Sequence, residues 1–232
     1  MRRSYGRLGL ALSLALAGVI PSHDRARAQV TAEIELQSDY RTRGYSVSDE
    51  RPVATVNVGY DDLSGVYLGG SLSGVWAEGE PQLFAARGYA GYALRLNRGL
   101  SADAGVIQTH YGASNTFGRA IDYTEFYVGV SSATFSSHLF YSPDYYDSGY
   151  ATLYGQVEGS VELAPALILS AHAGHLEYLD QPAYYSLPSR QDWRLSAVRR
   201  FGRTSVSLGL SGRIQGGDTR DAALVAGIAR SF

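Results

Sequence analysis

The sequence predicts a closed antiparallel transmembrane β-barrel of about twelve strands, and three observations predict it. Apolar and polar residues alternate with period two through segment after segment, which gives each strand one apolar and one polar face. The segments run about nine to twelve residues, the length of a tilted strand crossing a bilayer, whereas strands of soluble sheets average five or six. The connections alternate between short and long, as periplasmic turns and extracellular loops do.

Before the barrel stands a leader. Arg2, Arg3 and Arg7 precede a 13-residue uncharged run over 8–20, followed by Pro21 and a polar stretch ending Ala26-Arg27-Ala28. A basic head, an apolar middle and a small-x-small end predict a signal peptide over 1–28, cut after Ala28. The alternative is a membrane anchor, but a spanning helix needs about 20 apolar residues. The barrel domain is then 29–232. Losing the leader removes five Arg and one Asp, leaving 15 basic against 21 acidic residues. That balance lacks the clustered positive charge that nucleic acid requires.

The first strand is read over 30–40, where Val30, Ala32, Ile34 and Leu36 alternate with Thr31, Glu33, Glu35 and Gln37. Further segments follow at 52–60, 66–76, 82–94, 100–111, 123–130, 134–141, 151–163, 167–178, 192–201, 205–214 and 222–232. Their total is about twelve, and an even number suits antiparallel closure. No proline interrupts a strand interior. Connections 61–64, 95–99, 131–133, 164–166 and 202–204 are short, whereas 41–51, 112–122, 142–149, 179–190 and 215–220 are longer and polar.

Aromatics of the apolar parity fall near the strand ends in two girdles, where amphipathic rings favour the membrane interface. Tyr40, Trp76, Phe84, Tyr141 and Trp193 mark the long-loop side; Tyr60, Tyr92, Phe135, Phe201 and Phe232 mark the short-turn side. Arg199 and Arg230 break the apolar parity only at the short-turn edge, where an Arg can snorkel to water. The chain ends on Phe232 after Leu224, Ala226 and Ile228 at alternate positions, a pattern resembling the signature that barrel-assembly machinery reads on its clients. A secreted β-sandwich also alternates, but strand length and girdles weigh against it.

Composition removes several chemistries. There is no cysteine, so thiolate metal sites, disulfides and thiol nucleophiles are excluded. All 20 basic residues are Arg, which excludes Lys-based phosphate loops and Schiff bases. The 27 Gly and 18 Tyr of 232 residues favour sheet and tight turns.

At Ser38-Asp39-Tyr40-Arg41-Thr42-Arg43-Gly44, followed by Ser46, Ser48, Asp49 and Pro52, the chain resembles an uncharacterised proteobacterial outer-membrane β-barrel family, Gcw_chp, whose members look like S-D-Y-x-x-R-G with a Ser/Asp-rich loop and a Pro opening the next strand. Further similarity lies in Ser64-Gly65-Val66-Tyr67-Leu68-Gly69 and Asp122-Tyr123-Thr124-Glu125-Phe126-Tyr127. It is good over 38–76, patchy afterwards and faint beyond Tyr150. Members often carry apolar residues where this chain has Arg41 and Thr42, so its first strand is expected to end early. The resemblance implies fold and location and carries no catalytic motif.

The polar parity defines the candidate lumen. Its acids are Glu33, Glu35, Asp39, Asp103, Glu125, Glu158, Glu162 and Asp192, against Arg87, Arg194 and Arg213. With Tyr127 and Tyr154, the candidate pore-lining set is Glu33, Glu35, Arg87, Asp103, Glu125, Tyr127, Tyr154, Glu158, Arg194 and Arg213. Two readings stand: a mutually satisfied network plugging the lumen, or a water-filled path whose acid excess gives cation preference. Inward tyrosines (Tyr67, Tyr89, Tyr111, Tyr123, Tyr127, Tyr150, Tyr154, Tyr178) fill space or stack a solute. His138 with Ser136 and His172 with Ser170 share strand faces, a spacing that arises easily by chance in a Ser-rich chain. His172 and His175 have opposite parity, which disfavours a shared metal site, and Asp144 and Asp147 lack a regular calcium-loop spacing. The expected protein is a passive pore or carrier for small polar solutes, without cofactor or metal, in contact with outer-membrane lipid. The alternative is a closed barrel whose Tyr145-Tyr146 and Tyr184-Tyr185 loops contact neighbours.

Overall fold

The computed structural model describes residues 29–179, 187–215 and 217–232. Twelve strands close on themselves in a single antiparallel barrel. They are β1 (Gln29–Gln37), β4 (Val53–Asp61), β5 (Val66–Ala77), β6 (Glu80–Arg95), β7 (Leu100–Tyr111), β8 (Ile121–Ser132), β9 (Phe135–Ser142), β10 (Thr152–Ala164), β11 (Leu167–Tyr178), β12 (Arg190–Phe201), β13 (Thr204–Gln215) and β14 (Asp218–Ser231). A two-stranded hairpin of β2 (Arg41–Thr42) and β3 (Tyr45–Ser46) lies within the β1–β4 connection. Every segment expected to be a strand is one. The expected leader, 1–28, and the Tyr184-Tyr185 loop lie outside the described residues.

Closure joins β1 to β14 through five residue pairs, from Glu33↔Ser231 to Gln37↔Gly227, whereas nine pairs join β1 to β4 on its other side. The first three residues of β1 therefore overhang the seam, while the Ala32 carbonyl accepts from the Phe232 amide at 3.0 Å. Sequence neighbours pair throughout, so each strand is positioned by the tight turn or loop beside it.

Burial follows parity. Leu36, Val56, Val58, Leu72, Val128, Leu195, Leu208 and Leu224 are exposed on the outer wall, while Thr55, Asn57, Ser73, Thr109, Glu125, His138, Gln156 and Glu158 are buried within it. A soluble domain places these sets the other way round; an outer wall of Leu and Val needs hydrocarbon as its solvent. Trp76, Tyr92, Phe135, Tyr141, Phe201 and Phe232 face outward as the girdles require. The Arg199 and Arg230 guanidinium groups each lie 5.9 Å over the rings of Phe201 and Phe232, at the short-turn edge.

Two girdle assignments are corrected. Phe84 is fully buried. In the β5–β6 ladder Ser73 pairs with Ala85 and Gly74 with Leu83, so Phe84 is the extra residue of a β-bulge, and it turns inward while Leu83 and Ala86 keep the ladder. Tyr40 lies beyond the end of β1 and packs edge-on to Phe84 and Tyr111, 5.4 and 6.4 Å between ring centroids. The early end expected for the first strand is observed, three residues before Tyr40.

The excess of Gly and Tyr has a common cause inside the wall. Gly69 pairs directly across the ladder with Tyr89, Gly91 with Tyr67, Gly105 with Tyr127 and Gly129 with His138. Each ring reaches over the glycine opposite, into space that a Cβ would occupy. Tyr rings thereby run along the wall and keep their hydroxyls for hydrogen bonding.

Candidate functional site

An eight-stranded barrel is filled by its own side chains, and sixteen strands leave an aqueous channel. Twelve strands lie between, and here the loop after β1 supplies additional filling. The β2–β3 hairpin, expected as an outer loop, folds into the lumen. Thr42 Oγ1 is 3.2 Å from the Tyr111 hydroxyl of β7 on one side, and Arg213 Nη1 of β13 donates to the Tyr45 hydroxyl at 2.5 Å on the other. Gly44, at φ +77°, is the turn; a Cβ there would stand 2.7 Å from the Gly212 carbonyl oxygen, so only glycine fits both the backbone and the gap.

This placement explains the Ser-Asp-Tyr-x-x-Arg-Gly motif residue by residue. Asp39 is buried, and accepts from Arg41 Nη1 at 2.9 Å, from Ser46 Oγ at 2.6 Å and from Ser48 Oγ at 3.0 Å, which ties the base of the hairpin. Arg43 reaches into the barrel, donating to Glu125 Oε1 at 2.5 Å, with its guanidinium 3.8 Å from the Tyr154 ring centroid and 4.7 Å from that of Tyr145. A guanidinium between two rings and a carboxylate is well held in a low-dielectric interior.

Three further networks hold Asp103, Asp192 and Glu158. Asp103 accepts from the Tyr67 hydroxyl at 3.0 Å and lies 3.2 Å from His138 Nε2, and Tyr127 bonds Tyr67. Asp192 lies 2.9 Å from His172 Nε2 and accepts from the Tyr154 hydroxyl at 3.0 Å. Arg194 donates to Glu158 at 3.3 Å. Glu35 accepts from Gln37 at 2.6 Å, and Glu33 from Ser231 at 2.9 Å.

Of the ten candidate lining residues, Arg87, Glu125, Tyr154 and Arg194 meet around one cavity of about 80 Å³ beneath the hairpin, with Arg41, Arg43, His172, Asp192 and Ser211. Glu158 stands behind Arg194. Asp103 and Tyr127 belong to the neighbouring Tyr67–His138 network, Arg213 clasps the hairpin through Tyr45 and Asp221, and Glu33 and Glu35 lie apart on β1. A larger recess of about 750 Å³, over Gly155 and Ala173 between Leu139, Val157 and Trp193, opens on the lipid-facing wall. It carries no convergence of charge, so the smaller cavity is the candidate site.

The hairpin adds Arg41 and Arg43 to the lumen, and the cavity is lined by four Arg with Glu125 and Asp192; Asp39 and Glu158, outside the lining, pair with Arg41 and Arg194. Parity arithmetic missed the two hairpin cations because a loop has no parity. The motif's Asp and Arg at fixed spacing around a Gly were the available signal.

The remaining Ser, His and Asp side chains have other partners. Ser170 Oγ lies 2.8 Å from Ser196 Oγ while His172 is taken by Asp192 and Tyr154. His175 is exposed and contacts Glu177 on the outer face, opposite to His172. Asp147 pairs with Arg119 at 3.1 Å. Tyr145 is buried, and Tyr146 stacks on Tyr123 at 4.9 Å, so this pair caps the lumen mouth instead of projecting from it. Burial pushes the Tyr145 phenol up to about 12 and raises the Tyr146 phenol as well.

A family model described as a bacterial protein of unknown function, Gcw_chp, matches residues 23–222. The chain belongs to the Gcw_chp family. The match runs well past Tyr150, beyond the reach of the motif resemblance. Among solved structures, the Gcw_chp barrel is similar to the KdgM porin (TM-score 0.55, 10% identity, 87% of this chain and 99% of that one). It is also similar to the NanC porin (0.54, 8%, 88% and 99%) and to an outer-membrane channel from Pseudomonas putida F1 (0.52, 12%, 92% and 100%). At such identities the likeness is one of fold, that of the outer-membrane β-barrels. No curated protein sequence matches the chain.

Proposed function

We propose that this Gcw_chp barrel is a narrow passive pore or carrier for small polar solutes, with the β2–β3 hairpin as its constriction. The observation that carries the reading is the lumen itself. It is lined by charged and hydroxyl side chains around a polar cavity of about 80 Å³, room for several waters. An apolar core would fill a purely structural barrel at lower desolvation cost. The three barrels of similar fold are named porins or a channel, and one KdgM structure is a complex with disordered oligogalacturonate.

Reconstitution of the folded protein into planar bilayers tests this. Discrete conductance steps are expected, and replacing residues 41–46 by a short glycine linker should enlarge each step severalfold. Persistent silence of both proteins would sink the pore. A second reading, a closed scaffold, is favoured by the aromatic cap of Tyr40, Phe84, Tyr111, Tyr123, Tyr145 and Tyr146 at the long-loop mouth; it predicts that silence.

Export by the 1–28 leader and assembly through Phe232 belong to the same reading. Phe232 is 63% exposed at the short-turn end. Its deletion should slow appearance of the folded, heat-modifiable form, and an unchanged rate would remove it as the recognition element.

A further inference from the structure

Buried donors and acceptors are almost always partnered, so those left over point to something that binds them. Ten buried side-chain atoms among the described residues have no partner, and five of them belong to residues lining the one cavity: Arg41 Nε, Arg43 Nη1, Arg87 Nε, His172 Nδ1 and Ser211 Oγ. Four of these can donate as they stand, and His172 Nδ1 faces Glu158 Oε2 at 4.0 Å. Their concentration at one place is unlike the scattered orphans elsewhere in the wall.

The charge is also incomplete there. Arg41 is neutralised by Asp39, Arg43 by Glu125 and Arg194 by Glu158. Asp192 is held by His172 and Tyr154. Arg87 makes no hydrogen bond and no ion pair with a described residue, although it lies inside the barrel, and the Glu125 charge that acts on it is in direct contact with Arg43 instead. A guanidinium withdrawn from water without a hydrogen-bonded counter-charge is costly. An anion facing Arg87 and the free edge of Arg43 would remove that cost, and a planar guanidinium fork matches the oxygens of phosphate or carboxylate.

We propose that this cavity is a binding site for a small oxyanion, held by Arg87 and by the unpaired Nη1 of Arg43, with Ser211 as a hydroxyl donor. About 80 Å³ suits one tetrahedral or carboxylate group, with the remainder of a larger solute left in the lumen. The site deepens the pore reading by naming a solute class, and it stands on the cavity, whether or not the barrel conducts.

The test is calorimetric titration of the detergent-solubilised, folded full chain with inorganic phosphate and, separately, acetate, against chloride at matched ionic strength. Saturable one-to-one binding of at least one oxyanion is expected, weakened about tenfold or more in R87Q, while R98Q in an exposed turn binds as the unaltered chain does. Should R87Q fail to fold, the Nε resonance of Arg87 in the unaltered protein, identified with R87K, is read instead; phosphate should shift it in proportion to occupancy. Absence of saturable binding by either oxyanion means that the cavity holds water alone and overturns the proposal, as does an R87Q affinity equal to the unaltered one. A silent barrel that binds phosphate keeps the site and loses the pore; a conducting barrel without saturable binding does the reverse.

Discussion

Arg43 and Glu125 stand 82 residues apart in sequence and meet with side chains only 12% and 4% exposed. Removing one member of a buried pair leaves the other charged and unpartnered, at a cost of about 3–5 kcal/mol, whereas removing both is far milder. Urea unfolding of E125Q and R43Q should therefore show losses of that order, and the double variant should recover much of either; additive losses would mean that the two do not act as a pair. Tyr145, beside the same guanidinium, gives a second check. Its folded value near 12 lies above the unfolded value of 10, so the stability it contributes is complete below pH 10 and is lost as pH rises through about 12. The difference spectrum of the native chain minus Y145F should show one tyrosinate appearing only above pH 11; ionisation at pH 10 would place that ring in water. Of these residues Glu125 was legible from parity. Arg43 was not, since nothing local in 41–51 says whether the loop points outward or folds back.

At the scale of the strand, alternation was readable because lipid on one side and polar lumen on the other fix every second residue. The reading failed where alternation itself is interrupted. The bulge at Phe84 resets parity without any residue type that marks it, and the end of β1 at Gln37 frees Tyr40 to turn inward. The pairing of inward glycines with inward rings was equally hidden, since it is a relation between strands. It has a measurable consequence. A Cβ at Gly105 would stand 2.5 Å from the Ala90 carbonyl oxygen and 2.6 Å from the Tyr127 hydroxyl, whereas one at Gly155 would meet nothing closer than Leu139 Cδ1 at 3.8 Å. G105A should destabilise by about 1–3 kcal/mol through overpacking, and G155A should be nearly neutral. Equal melting temperatures for the two variants would count against the ring-on-glycine arrangement.

For the molecule as a whole, net charge and lumen charge are separate quantities. Residues 29–232 are acidic by six charges, whereas the candidate cavity is lined by four Arg and two acids, with Asp39 and Glu158 paired to Arg41 and Arg194 beside it. Selectivity belongs to the constriction, where solutes shed water, more than to the sum over the chain. In a salt gradient the conducting barrel should give a reversal potential on the anion side, moving toward zero in R87Q; cation preference in the unaltered barrel would restore the parity-based expectation. Fold, strand count and location were thus written in the alternation, while the sign of the lumen depended on a loop that alternation does not describe.

At the seam β1 and β14 share only five residue pairs. No other strand must wait for the opposite end of the chain before its edge is covered. Amides of residues 33–37 and 227–231 should accordingly trade hydrogen for deuterium sooner than those of the β7–β8 ladder, and a growing barrel held open at this line can admit lipid or a helper protein until the last strand arrives.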